Sequence, residues 1–284
     1  MKNIFSIFVS TLFVVQASFA QEYLPTPADI KQFSQTKTMI VLEDNKMCEY
    51  NLILQELVPD EWTVTPFDFL PWKSFDANKK DKSLSFLIQD RVMFEKDKAN
   101  ARYLFMSLLL GGSSKGLSKI PDLCSVPLAY YGANEDTYNY KVGIFLRFIQ
   151  NHVKLITNDP SIASKNIMEY YNKNIQKLEG KTLYLIAEEL DKEVNTEAKI
   201  KKVYNGPFKL VTKEDIQEAI ADKNPDVVFL HKVGPGKNIS NARCFKILVG
   251  AADAQFYYFD YHNLDAKKPD GFLASDFKKL ARKN

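Results

Sequence analysis

The run KTMIVL at residues 37–42 decides the fold, because KTLYLI at residues 181–186 repeats it. Each run is apolar and β-rich, and each precedes a second such run by about fifty residues, LSFLI at 84–88 and VVFLH at 227–231. A third pair follows, RYLFM at 102–106 and RCFKI at 243–247. The same order of elements therefore occurs twice, from residue 26 to 156 and from residue 159 to 282, which indicates an internal duplication.

Helix signals fall at matching places in the two halves. Thr26 before Pro27 and Asp159 before Pro160 predict helix starts, and Gly180 predicts the end of the second of these helices. Further helices are predicted near residues 48–57, 72–79 and 140–156 in the first half, and near residues 196–203, 212–220 and 274–282 in the second. The short strands between them are predicted at residues 63–65 and 208–211. The last two strands of each half are expected to form a β-hairpin.

These element lengths predict a mixed sheet in each half. Parallel neighbours need helical crossovers, whereas short connections make antiparallel neighbours. The predicted fold class is α/β, with two tandem, similar small α/β sandwich domains, each having a parallel start, an antiparallel hairpin and helices packed on the sheet. The predicted domains are residues 21–156 and 157–284, after a signal peptide at residues 1–20.

The N-terminal residues predict export. A short positive start, MKN, precedes an apolar stretch at residues 4–15 and a small-x-small cleavage site, SFA, at residues 18–20. We expect the mature chain to begin at Gln21 and to be periplasmic or secreted. The alternative is a retained anchor, although the stretch is shorter than the roughly twenty apolar residues of a spanning helix. No membrane span is expected after signal removal.

Composition is that of a folded globular protein, with 45% hydrophobic and 26% charged residues. A net charge of +3 with interleaved acids and bases does not favour a nucleic-acid partner. Three cysteines, Cys48, Cys124 and Cys244, exclude a disulfide scaffold. Cys48 with Cys124 is one candidate pair, and Cys244 on a predicted strand is expected to be a buried core thiol.

Part of the second half resembles a known domain type. The relevant residues are GPF at 206–208, the helix from residue 212, DVVFL at 226–230, FYYFD at 256–260 and FKKL at 277–280. In pattern they resemble the TolB N-terminal-type α/β envelope domain, and the first half repeats the same order of elements. The resemblance includes no specific motif and no propeller-like continuation. It implies a non-catalytic envelope domain that contacts other proteins.

Carboxylates cluster where the parallel strands of the first half are predicted to end. They are Glu43, Asp44, Asp68 and Asp90. Ligands of open α/β sheets lie beyond these strand ends, and carboxylates are oxygen ligands for Mg²⁺ or Ca²⁺. The alternative interpretation is local, because Asp and Glu also favour turns and helix starts.

In the second half the matching strand ends carry Glu188, Glu189 and His231. A histidine near a carboxylate is the minimum for general base catalysis. However, His231 aligns with Ile88 of the first half, which predicts a strand position facing the core and a structural histidine.

Aromatic residues form two groups. Trp62 and Trp72 lie in one, and Tyr257, Phe259 and Tyr261 lie on one strand, where alternation predicts a shared face opposite Phe256 and Tyr258. Such a face would bind a partner or a sugar if exposed, or would pack in the core.

Taken together, these features favour an exported, non-enzymatic binding or interaction module of the cell envelope, whose partner would be a protein or another envelope component. The alternative is a hydrolase or divalent-cation-dependent enzyme at the strand ends. No cofactor is predicted, because no nucleotide loop or metal-cage motif is found.

Overall fold

The computed structural model of the chain describes residues 23–112, 116–164, 166–236 and 239–281. The predicted signal peptide at residues 1–20 and its cleavage site lie outside the described residues. Within the described part of the chain, no helix combines the length and apolarity needed to cross a bilayer.

The described part of the first half contains four α-helices and five strands. In chain order they are α1 (Pro27–Phe33), β1 (Lys37–Leu42), α2 (Glu49–Glu61), β2 (Phe67–Pro71), α3 (Trp72–Asn78), β3 (Leu84–Met93), β4 (Arg102–Leu110), β5 (Asp122–Tyr130) and α4 (Val142–Asn158). The second half follows the same plan with α5 (Ile167–Asn172), β6 (Thr182–Leu185), α6 (Glu197–Ile200), β7 (Phe208–Leu210), α7 (Lys213–Ala221), β8 (Val227–Val233), β9 (Arg243–Gly250), β10 (Phe256–Asn263) and α8 (Ala274–Leu280).

The two sheets have the same topology. The first has the order β2-β1-β3-β4-β5, and the second, read from its matching edge, has the order β7-β6-β8-β9-β10. In each, the first three strands in sequence are parallel and the last two pairings are antiparallel. The predicted α/β class and the duplicated mixed sheets are therefore confirmed.

Local signals set two of the helix starts as expected. Thr26 and Thr212 are N-caps of α1 and α7, and each accepts a hydrogen bond from the backbone of an aspartate three residues later. Asp29 and Asp215 in turn accept from the cap backbone N–H at 2.8 Å. Both helices begin with this capping box, which satisfies amides that would otherwise lack partners.

Two predicted segments were wrong. The strand predicted at residues 63–65 begins instead at Phe67. Thr63 donates its backbone N–H to Gln150 Oε1 at 2.7 Å, and the Thr65 hydroxyl accepts from Trp62 Nε1 at 3.0 Å, so this segment ties α2 to α4. The long helix predicted from Asp159 is instead divided into a 3-10 turn, α5 and a second 3-10 segment. Where α5 passes into the second 3-10 segment, Asn172 and Asn174 donate to backbone carbonyls of β10.

The main hydrophobic core is shared by both halves, and α4 lies within it. Ten of the 17 residues of α4 are buried. The Phe148 ring stacks on Phe256 of the second sheet with centroids 3.5 Å apart, and Phe145 packs on His231 at 4.6 Å. A helix that is apolar on most of its surface is expected to be enclosed. The closing helix of the first half is therefore also the packing surface for the second.

Polar contacts also stabilise the interface between the two halves. Arg243 of β9 is 4% exposed and forms a bidentate ion pair with Asp97, with Nη2 to Oδ1 at 2.9 Å. Its guanidinium lies 3.7 Å from the ring centroid of Phe94. Its backbone N–H donates to the Tyr103 hydroxyl at 2.6 Å. Planar stacking and bidentate pairing suit arginine and fix the relative position of β4 and β9.

Candidate binding cleft between the halves

An open cleft lies where β6 and β7 end, as expected for a ligand site of an open α/β sheet. Its volume is about 690 Å³, within the range of small-ligand sites. The second half supplies most of its wall, and Thr137 and Tyr140 of the first half complete it. The lining residues are Thr137, Tyr140, Ile186, Ala187, Glu188, Glu189, Leu210, Val211, Thr212, Lys213 and Asp215.

Glu189 lies in the wall of the cleft, next to a buried lysine of the first half. Lys141 is 1% exposed, and its Nζ lies 3.9 Å from Glu189 Oε1 and 4.9 Å from the Tyr140 ring centroid. Glu189 Oε2 is buried and has no hydrogen-bond partner among the described residues. Burial raises the pKa of Glu189, and the charges of Lys141 and Lys232 oppose that shift. The pair links the two halves and leaves the second carboxylate oxygen of Glu189 buried without a hydrogen-bond partner among the described residues.

The rim of the cleft is polar and exposed. Thr212, Lys213 and Asp215 form the first turn of α7. The Thr212 backbone and hydroxyl both donate to Asp215 Oδ2, and these hydrogen bonds lower the pKa of Asp215. Apolar walls with a few polar groups at the mouth are typical of binding clefts.

The structure places the proposed catalytic residues in three different environments. Glu188 is exposed on the rim, and Glu189 pairs with Lys141. His231 is 1% exposed, its Nε2 lies 2.9 Å from Pro127 O, and its Nδ1 has no hydrogen-bond partner among the described residues. Burial, reinforced by the Lys141 charge, holds the pKa of His231 well below its ordinary value. Glu189 Oε2 and His231 Nδ1 thus share no hydrogen bond, although the charge of Lys141 acts on both side chains.

The acidic residues of the first half are dispersed. Glu43 pairs with Arg91 at 3.5 Å, Asp68 pairs with Lys37 at 2.9 Å at the second residue of β2, and Asp44 is exposed. Asp90 faces Phe105 of β4, and burial raises its pKa. In the described part of the chain, no group of three or more His, Cys, Asp or Glu side chains is placed to hold a metal ion.

The aromatic candidates lie mostly in the interior. Trp62 is 4%, Tyr257 2% and Phe259 8% exposed, whereas Trp72 and Tyr261 are partly buried. The predicted common face of Tyr257, Phe259 and Tyr261 is wrong. A bulge between residues 256 and 258 shifts the register, so that Phe256, Phe259 and Tyr261 pack on the main core and Tyr257 and Tyr258 on the other face.

Cys48, Cys124 and Cys244 are free thiols. The last two are buried, which confirms the expectation for Cys244. Burial raises the pKa of the Cys124 and Cys244 thiols, so these groups are core side chains and not nucleophiles.

Sequence reasoning missed the contribution of the first half to the cleft. Tyr140 and Lys141 precede α4 and resemble ordinary helix-start residues, yet Lys141 is buried and pairs with Glu189 of the second half. The available signal was a lysine directly before a helix with ten buried residues.

Comparison with known proteins identifies no relative: no family model, no curated protein and no solved structure matches this chain.

Proposed function

We propose that the protein is an exported, non-enzymatic binding module of the cell envelope and that the cleft between its halves is the binding site. The cleft itself is the main support, because it has apolar walls, a polar rim and contributions from both halves. A ligand there would contact Tyr140, Ile186 and Val211 in the walls and would meet the exposed polar groups of Thr212 and Lys213 at the rim. The pattern resemblance to TolB-type envelope domains supports the same role.

The arrangement of titratable groups favours binding over hydrolysis. A general base must reach its proton donor or acceptor within hydrogen-bond distance, directly or through one water. His231 Nε2 is occupied by a backbone carbonyl, and its ring packs on Phe145 in the core. Glu188 and Glu189 share the cleft with Lys213 but have no histidine beside them in its lining.

Export is tested by mass spectrometry of the protein from its producing cells. We expect an intact mass that begins at Gln21, with the protein in the periplasmic or secreted fraction. A cytoplasmic chain that retains residues 1–20 would contradict the export part of the proposal.

Binding is tested by site-specific photocrosslinking in the producing cells. A crosslinking amino acid at Lys213, on the rim, should give one discrete adduct, whereas the same group at the exposed Lys278 of α8 should not. Thr137→Trp should block the adduct, since Thr137 is exposed and lines the cleft. Asp136→Trp, at an exposed neighbour outside the cleft, is the matched control. Equal adducts from both positions, or an adduct unaffected by Thr137→Trp, would remove the cleft as the site.

A further inference from the structure

The two sheets have four edge strands, β2, β5, β7 and β10. In three of them, backbone groups at the outer edge are bonded to other residues or absent. On β10, Asn172 bonds to both the N–H and the C=O of Phe259, with its Nδ2 to the carbonyl at 3.0 Å. On β5, the carbonyl of Pro127 meets His231 Nε2 at 2.9 Å, and Asp122 N–H donates to the backbone of Tyr23. Covering edges in this way prevents unwanted strand pairing.

The β2 edge is closed by its own sequence. The Phe69 N–H donates to Asp68 Oδ1 at 2.9 Å, and Pro71 has no N–H to offer. A charged side chain and a proline are common protections of an edge strand.

The matching edge in the second half, β7, is open. Leu183 N–H donates to Pro207 O and Val211 N–H donates to Leu185 O, each at 3.0 Å, which fixes the side of β7 that faces β6. By alternation, the N–H and C=O groups of Phe208 and Leu210 point away from the sheet. No hydrogen bond between described residues engages them.

This open edge runs between two clefts. The cleft described above lies at its carboxyl end, and a second cleft of about 370 Å³ lies beside its start. The second cleft is lined by Glu197, Lys201, Gly206, Pro207, Phe208, Lys209 and Leu210. An extended chain added to an edge places alternate side chains on opposite faces, and such pockets give strand addition its specificity.

The positive charge of Lys209 indicates which kind of strand could pair with β7. Lys209 is the exposed central residue of β7, and its Nζ lies 5.8 Å from the Tyr184 ring centroid. Its charge interacts with that of Asp215 at the rim of the larger cleft, but no salt bridge joins Lys209 to a described residue. The neighbouring Lys201 is paired with Glu197 at 3.3 Å. A second copy pairing antiparallel about the centre of β7 would set Lys209 opposite Lys209, and like charges facing each other destabilise a sheet. An acidic residue opposite Lys209 is complementary instead.

We infer that β7 accepts an extended segment of another protein as an added strand, with an acidic side chain facing Lys209. Two residues along, an apolar side chain would lie opposite Val211 and enter the larger cleft, because Lys209 and Val211 share one sheet face. This inference rests on the proposed function and names the partner as an extended acidic–apolar peptide segment.

The probe is the acetylated and amidated peptide Thr-Leu-Thr-Asp-Thr-Leu-Thr, which presents the same side chains in either chain direction. Added to the mature protein, it should slow hydrogen exchange at the Phe208 and Leu210 amides, which face outward. Exchange at Lys209 and Val211, whose amides face β6, should change much less. If the peptide is added to saturating concentration and hydrogen exchange at the Phe208 and Leu210 amides does not slow, the inference is overturned.

N-methylated peptides test the backbone bonds without altering the protein. Methylation of the two threonines beside the aspartate removes the donors of an antiparallel addition, and methylation of the aspartate and leucines removes those of a parallel one. One of the two should weaken binding by about tenfold, as expected for losing two or three hydrogen bonds. Equal binding by all three peptides would exclude strand addition.

Protein variants test the edge and the charge. Leu210→Pro removes one outward N–H and should weaken binding by about threefold or more. Lys209→Glu should favour a peptide with lysine in place of aspartate, and Lys202→Glu, the same change at an exposed neighbouring lysine, should not. If Lys209→Glu leaves the peptide preference unchanged, Lys209 does not face the central residue, and the inference fails.

The outcomes separate this inference from the proposed function. A Lys213 crosslink that Thr137→Trp blocks, without edge protection by any of the peptides, would keep the cleft as a binding site and reject strand addition. Concentration-dependent protection of Phe208 and Leu210 without peptide would reject the partner segment in favour of a second copy.

Discussion

Glu189→Gln should lower the free energy of unfolding by about 3–5 kcal/mol, the usual cost of leaving one member of a buried ion pair uncompensated. The orphaned group would be Lys141, which is 1% exposed and has its Nζ 3.9 Å from Glu189 Oε1. At an effective dielectric of about 20, two charges at this separation attract by about 4 kcal/mol, so the direct loss agrees with that range.

Removing the lysine instead, in Lys141→Met, should lower the free energy of unfolding by less. In Lys141→Met the remaining Glu189 can bind a proton, because burial already raises its pKa and Lys141 is the main charge opposing that shift. A carboxyl group whose pKa is higher in the folded than in the unfolded state stabilises the fold most at low pH. That contribution is complete below the pKa of the unfolded state, near 4.5, and is lost as pH rises through the pKa of the folded state. We therefore expect Lys141→Met to lose stability between pH 5 and 8 more steeply than the wild type.

Urea unfolding of the wild type, the two single variants and the double variant Lys141→Met/Glu189→Gln would measure the coupling. The double variant should recover to within about 1–2 kcal/mol of the wild type, because it buries no unpaired charge. A Glu189→Gln protein within about 0.5 kcal/mol of the wild type would show that the pair does not hold the halves together.

Three further predictions concern buried titratable groups. Burial raises the pKa of Asp122 to about 7, so wild-type stability should fall as pH rises from 4 through 7; Asp122→Asn should flatten this slope and gain more than about 1 kcal/mol at pH 8, measured by urea unfolding. Burial lowers the pKa of His152, bonded to Tyr171, to about 4, so stability should fall by about 3 kcal/mol as pH drops from 6.5 to 4; a His152→Gln protein with the same acid-induced loss would contradict this. Lys246→Met should cost about 3–5 kcal/mol in thermal or urea unfolding, because it leaves the 1% exposed Asp276 carboxylate without its cation; a loss below about 1 kcal/mol would refute it.

The fold could be predicted because its signals are local. The runs at residues 37–42 and 181–186 are β1 and β6 with small changes at the ends, and both threonine caps begin helices as expected. Repetition then fixed the topology, since the same strand and helix lengths allow the same crossovers.

The predictions that were wrong or incomplete concern features that the local sequence pattern does not determine. Thr63 and Thr65 have high β-propensity, yet Gln150 and Trp62 occupy their hydrogen-bonding groups, and neither partner is implied by the local pattern. A single bulge after Phe256 placed Phe256, and not Tyr257, on the face shared by Phe259 and Tyr261. Lys141 could not be identified as part of the site, because its partner, Glu189, lies in the other half and is not implied by the local sequence.

One register position shows how the two copies have diverged. Asp68 lies opposite Met39 at the second residue of β2, and Lys209 lies opposite Tyr184 at the second residue of β7. The acidic residue accepts from the next backbone N–H and closes its own edge, whereas the lysine has no acceptor for that N–H and leaves the edge open.

The open edge also adjoins the cleft that the first half completes through Tyr140. Under the proposed function, the first half would act as support, and the second half would present the surface to a partner. Lys209→Asp should accordingly convert β7 into a self-closed edge like β2, with slower hydrogen exchange at Leu210 in the absence of any peptide. Unchanged exchange at Leu210 in that variant would show that the side chain at this position does not decide the state of the edge.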